Sequence, residues 1–213
     1  MKTTRLALSG VLAVVLLGGC SSNETPNQAQ YSGFLSNYEG LAEHTTPAGN
    51  TVLRWVSPDF KLAKYDKVIF QPIRFYPAPQ PTQQVSAQTL KDLLGYTNSR
   101  LSEALSRRLQ LVGFSAIPGT LEFRGAITAV TASPQGIPLA LVMAESRTST
   151  GEREQNSELY LEAELVDAVS GKPMLRVVRK GMGTVLSDDR QTVTVDDLKS
   201  VINGLTLDVL SFD

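Results

Sequence analysis

The chain has 213 residues, 19% of them charged, and a formal net charge of −1. That length suits one domain of moderate size, and a near-neutral balance with no basic tract longer than Arg107-Arg108 speaks against nucleic-acid binding. Cys20 is the only cysteine and His44 the only histidine, so no intrachain disulfide can form and too few ligands remain for a zinc site of cysteine and histidine.

The chain opens with Lys2 and Arg5, then an apolar run from Leu6 to Leu17 interrupted only by Ser9 and Gly10. A spanning helix needs about 20 apolar residues, so a basic start, a short apolar run and small residues read as a secretory signal, residues 1–19. The run ends in Leu17-Gly18-Gly19-Cys20, which resembles the lipobox of bacterial lipoproteins. The resemblance implies cleavage between Gly19 and Cys20, with small side chains required at Gly18 and Gly19, and acylation (palmitate among the acyl groups) of Cys20. A lone thiol in an oxidising compartment is a liability that a thioether to lipid removes. Two or more acyl chains hold a protein stably, at about 0.8 kcal/mol per buried methylene. Ser21 in place of Asp implies, by resemblance to Gram-negative sorting, transfer to the outer membrane with the domain facing the periplasm. Residues 20–30, rich in Ser, Asn, Gln and Pro, read as the lipidated cysteine and a flexible tether.

Residues 31–60 form an arm rich in aromatics, Tyr31, Phe34, Tyr38, Trp55 and Phe60, spaced by turn formers, with a strand expected at Thr51 to Val56. Its rings are expected to pack on the main domain, residues 61–213. Phe34, Tyr38 and Trp55 are the candidate contacts for a partner or ligand. Asp66 to Tyr76 reads as a strand buried on both faces, with Pro72 marking an edge or a bulge. Ala87 to Val112 reads as a helix: Leu90, Leu94, Leu101, Leu105 and Leu109 share a stripe, Ser86 is the expected N-cap and Gly113 the expected C-cap. A short strand is expected at Phe114 to Ile117. Leu121 to Thr131 alternates as a strand, Ile137 to Ala144 fits a strand or a short buried helix, and Ser146 to Ser157 reads as a mobile loop. Glu158 to Val166 and Met174 to Thr184 read as a hairpin turning at Ser170-Gly171. Glu162 and Glu164 are expected to face Arg176 and Lys180 across it, each such pair worth about 0.2 to 1 kcal/mol. Val195 to Leu210 reads as the last helix, with Thr194 and Asp197 as a capping box.

None of these segments carries a catalytic signature. His44 has no nucleophile elbow to serve, and Gly181-Met182-Gly183 closes a strand instead of opening a helix, so it is no dinucleotide fingerprint. Asp188-Asp189 reads as a solvated turn and Asp196-Asp197 as helix capping; glycosidase carboxylates must face one another across about 5 to 9.5 Å.

Three segments, Ser32-Gly33-Phe34-Leu35-Ser36-Asn37-Tyr38, Tyr65-Asp66-Lys67-Val68-Ile69-Phe70-Gln71-Pro72 and Leu161 through Gly171, resemble the lipoproteins of the domain-of-unknown-function 3313 family. The family has no established activity, so the resemblance implies no active site. The order of elements is also similar to small periplasmic α/β domains that work by contact or assembly. The sequence therefore leads to an α+β fold, a mainly antiparallel sheet with two principal helices packed on it, preceded by the aromatic arm. The expected function is a non-enzymatic, outer-membrane lipoprotein without a cofactor, held by lipid on Cys20 and contacting an envelope protein or itself. Binding of a small molecule or glycan is the alternative, and an envelope hydrolase the third.

Overall fold

The structure, a computed structural model, describes residues 25–113, 117–134, 155–188 and 190–210. The expected signal and lipid attachment at Gly18, Gly19 and Cys20, the expected elements at 114–116 and 137–144, most of the expected loop at 146–157, and Asp189 lie outside these residues.

Among the described residues, eight strands form one sheet: β1 (Ala42–Thr45), β2 (Thr51–Val56), β3 (Lys67–Phe70), β4 (Arg74–Phe75), β5 (Gln110–Val112), β6 (Thr120–Pro134), β7 (Gln155–Asp167) and β8 (Pro173–Leu186). Their order is β1-β2-β8-β7-β6-β3-β5, with β4 also against β6. Two helices of the described residues, α1 (Ala87–Ser106) and α2 (Val195–Leu210), cover one face. The fold is α+β as expected, and the sheet is mixed. The long ladders β6/β7 and β7/β8 are antiparallel, whereas β3 runs parallel to both β5 and β6. A helical crossover between β3 and β5 returns the chain in the same direction, which a tight hairpin cannot do.

Several boundaries moved for physical reasons. The strand expected over Asp66 to Tyr76 splits into β3 and β4, because Pro72 has no N–H to give the ladder. The helix expected to reach Val112 stops at Ser106, so Gly113 is not its cap. Leu109 still enters the core, and Gln110–Val112 pairs with Lys67–Ile69 as β5. Leu109 keeps the helical spacing while the backbone has already left the helix, so periodicity could not mark the end. Gln155–Ser157, expected in a loop, begin β7: the Gln155 side chain accepts a hydrogen bond from Gln84 at 2.7 Å, and Ser157 is fully buried.

Other expectations hold in detail. The Ser86 hydroxyl accepts from the Thr89 N–H at 3.0 Å and starts α1. Leu90, Leu93, Leu101 and Leu105 are buried along it, each contributing roughly 1.5–3 kcal/mol. At α2 the Asp197 carboxylate accepts from the Thr194 N–H at 2.8 Å, and the Thr194 hydroxyl accepts in return from the Asp197 N–H. Leu198, Val201, Ile202 and Leu205 face the sheet.

Gly181 and Gly183 explain how closely α2 sits on β8. A Cβ at Gly181 would lie 2.1 Å from Val201 Cγ1, and one at Gly183 only 2.0 Å from the Asp197 carbonyl oxygen. The glycine pair exists to let a helix rest on a strand.

Candidate functional site

The central strands are buried on both faces. The helices cover one. On the other, β7 presents Glu158, Tyr160, Glu162 and Glu164, all buried. Burying a charge is costly unless hydrogen bonds compensate it, and the cover comes from the N-terminal segment. Residues 27–41 lie across this face as a strap, with Leu35 packed against Leu53 and Val178 among Tyr31, Phe34, Tyr38 and Leu41. The chain then turns into β1 and β2, so Thr51–Val56 is a strand as expected and Val178 of β8 lies opposite Leu53.

Glu162 holds the strap. Its carboxylate, with no exposed surface, accepts from the Ser32 N–H at 2.7 Å, the Tyr38 hydroxyl at 2.5 Å and the Leu35 N–H at 3.4 Å. Among the described residues no cation pairs with it at ion-pair distance. The compensation comes from backbone and hydroxyl dipoles of the strap itself. The cross-strand facing expected for the hairpin holds for Glu164, which lies opposite Arg176, and fails for Glu162, which lies opposite Val178. Lys180 pairs with Glu158 at 2.9 Å, Glu164 with Arg124 at 3.5 Å, and Arg176 donates to the Asn37 carbonyl. Glu158 also accepts from the Tyr160 hydroxyl at 2.9 Å, and that hydroxyl accepts from Gln30 at 3.1 Å, fixing the start of the strap. Residues 27–30, expected in the tether, thus already belong to the fold, with Gln28–Gln30 in a short 3-10 helix capped by Asn27.

The three candidate contact residues all take part in this docking. Tyr38 stacks on Tyr31 with ring centroids 4.5 Å apart. Phe34 meets Tyr76 edge-on at 5.8 Å. Trp55, on β2, lies under the Arg176 guanidinium, 4.1 Å from the ring centroid, with Gly40 against its edge. Phe34 and Tyr38 share one small apolar cluster with the strap, while Trp55 is held beside it by a cation–π contact. The sequence offers Glu162 as a cross-strand charge of the hairpin, not as the residue that holds the strap. The signal for that role is Tyr160 two residues earlier on the same face, an aromatic where a solvated face would not need one.

The clasp also shifts the titration of Tyr38. Burial, then the hydrogen bond and the charge of Glu162, push the Tyr38 phenol up to about 12. A phenol raised above its ordinary value of 10.0 stabilises the docked state below that value and loses the contribution as pH rises through the folded value. Undocking of the strap is thus expected between pH 10 and about 12, read as tyrosinate absorbance rising together with loss of amide protection at Ser32 and Leu35. Tyr38→Phe should remove that transition; a normal titration of Tyr38 near 10 with the strap still docked would contradict it.

The remaining candidates have structural roles. His44 sits in β1 opposite Val52, where burial and then the Arg54 charge lower its pKa from the usual 6.5. Asp188 accepts from the Arg190 and Gln191 N–H groups, Asp196 pairs with Lys199 and Asp197 caps α2.

The family described as "Protein of unknown function (DUF3313)" matches residues 30–209. Two curated relatives, from Escherichia coli K12 and O157:H7, both named "Uncharacterized lipoprotein YdcL", are 40% identical over 220 residues, covering 100% of this chain and 98% of theirs. Among solved structures, the PelC dodecamer from Paraburkholderia phytofirmans is similar with a TM-score of 0.38 and 12% identity, over 76% of this chain and 98% of that one. Protein XCC0632 from Xanthomonas campestris has a TM-score of 0.38 and 11% identity, over 80% of this chain and 88% of that one.

Proposed function

The chain belongs to the DUF3313 family of proteins of unknown function, and within that family we propose that it is an outer-membrane lipoprotein acting as a non-enzymatic contact module of the cell envelope. The lipobox-like Leu17-Gly18-Gly19-Cys20 and the name of its relatives support the anchor. The observation that carries the rest is the clasped strap. Thr25 already bonds Glu43 of β1 at 3.2 Å, five residues beyond Cys20. An extended chain of that length reaches about 18 Å at most. The strap then runs straight onto the sheet, so the domain is held close to the bilayer with its strapped side nearby. A module held this way meets partners at the membrane surface and cannot sweep the periplasm on a long tether.

Labelling in cells with an alkyne analogue of palmitate, followed by density fractionation, tests the anchor. Cys20→Ser should lose both label and membrane association, and Ser21→Asp should move the protein to inner-membrane fractions. Label retained on Cys20→Ser would reject that residue as the attachment site. Cross-linking in intact cells then tests contact: a reproducible envelope partner, lost in Cys20→Ser, is expected. Capture no different from the Cys20→Ser control would reject the contact role.

A further inference from the structure

Beneath the helices, on the face opposite the strap, lies a cavity of about 100 Å³. Its walls are aliphatic: Leu101 and Leu105 of α1, Leu205 and Val209 of α2, and Leu161 and Leu175 of the sheet. Charged side chains break this lining, among them Arg54 of β2, Arg179 of β8 and Asp208 of α2. Glu164 also lines it, but its carboxylate pairs with Arg124, which lies beside it on the strap face. Arg54 is opposite Val177, two residues before Arg179, so both guanidinium-bearing positions share the helix face on neighbouring rungs.

Arg179 is the unusual member. It is 3% exposed, it donates to Asp208 through Nη1, and its Nε–H has no acceptor. Buried N–H groups almost always have one. Arg54 makes no ion pair among the described residues. Among the described residues, two guanidiniums thus face one carboxylate, and His44 next to Arg54, its pKa lowered, adds no charge at neutral pH.

We propose that this cavity is a binding site for a small monocarboxylate with a compact apolar tail, the tail among the leucines and the carboxylate on Arg54 and Arg179. The excess of one positive charge calls for a monoanion. The guanidinium fork matches a planar carboxylate, and aliphatic walls offer nothing to stabilise the second charge of a phosphate dianion. The volume holds roughly three or four water-sized groups, which sets the tail at about that many carbons.

The test titrates the full chain, isolated from cells and reconstituted in nanodiscs, with isovalerate and with its neutral counterpart isovaleramide, against empty nanodiscs. Saturable isovalerate binding with millimolar or tighter Kd is expected, at least about tenfold tighter than the amide because the charge-assisted bonds are lost. Arg54→Gln should weaken isovalerate by a similar factor, and Val209→Phe, which fills the cavity, should abolish binding. No saturable binding, equal binding of acid and amide, or equal competition by inorganic phosphate would overturn the proposal. Should either variant fail to fold, by circular dichroism, the acid-against-amide comparison on the unmodified chain decides alone.

Discussion

Gly183→Ala is expected to destabilise the domain by about 3 kcal/mol, the upper end of the range for forcing atoms into a packed site. The added methyl would stand 2.0 Å from the Asp197 carbonyl oxygen and 2.5 Å from the Ser157 hydroxyl. Neither can easily retreat. Asp197 is fixed by the Thr194 cap and by the hydroxyl of Thr184 on β8, and Ser157 donates to the Thr184 carbonyl at 3.0 Å. Relief must come from lifting the first turn of α2, which carries the fully buried Leu198. Gly181→Ala meets the Val201 side chain instead and should cost less, about 1–2 kcal/mol. Urea unfolding of both variants checks the order: midpoints should fall with unchanged slopes. A Gly183→Ala midpoint equal to the parent's would mean that α2 does not rest on β8 as described.

Glu162→Ala is expected to release the strap while leaving the sheet folded. Three donors lose their acceptor at once, and hydrogen bonds to a charged group are worth about 1.5–3 kcal/mol each. The apolar contacts of Leu35 with Leu53 and Val178 remain, but they form a small cluster without a helix above it. Hydrogen exchange should show the amides of Ser32 and Leu35 losing protection, with β7 and β8 little changed, and limited proteolysis should cut within residues 31–41. Glu162→Gln, which keeps one acceptor oxygen, should fall between parent and Ala. Full protection of Ser32 in Glu162→Ala would show that the strap is held by something else.

These two residues also mark what the sequence could and could not disclose. The helix caps at Ser86 and Thr194 and the β7–β8 hairpin were legible because their signals are local: a hydroxyl at a fixed offset, two alternating runs around a turn. The parallel placement of β3 between β5 and β6 was not, since pairing between distant segments leaves no local pattern. Alternation in β7 gave the right face for the residues from Leu159 to Leu165 but not what covers each face. Glu162 alternates like a solvated residue and becomes buried only because residues 27–41 fold over it. Gly183 likewise looks like a poor strand residue until the helix carbonyl above it is known. The candidate rings Phe34, Tyr38 and Trp55 were found as aromatics, while their use in holding the strap depends on distant partners: Tyr76 for Phe34, the Glu162 carboxylate for Tyr38 and the Arg176 guanidinium for Trp55.

The pairing of β2 with β8 brings residues 53–56 against residues 175–178. As the chain emerges from its amino terminus, β2 has no neighbour on that side until almost the whole polypeptide is out. The β6–β7–β8 meander can assemble first, from segments close in sequence. The strap, β1 and β2 must then close a very long loop to reach it, and such non-local closures slow folding towards the millisecond-to-second range. The order of assembly is thereby inverted relative to the order of synthesis: the segment made first is the last to find its place.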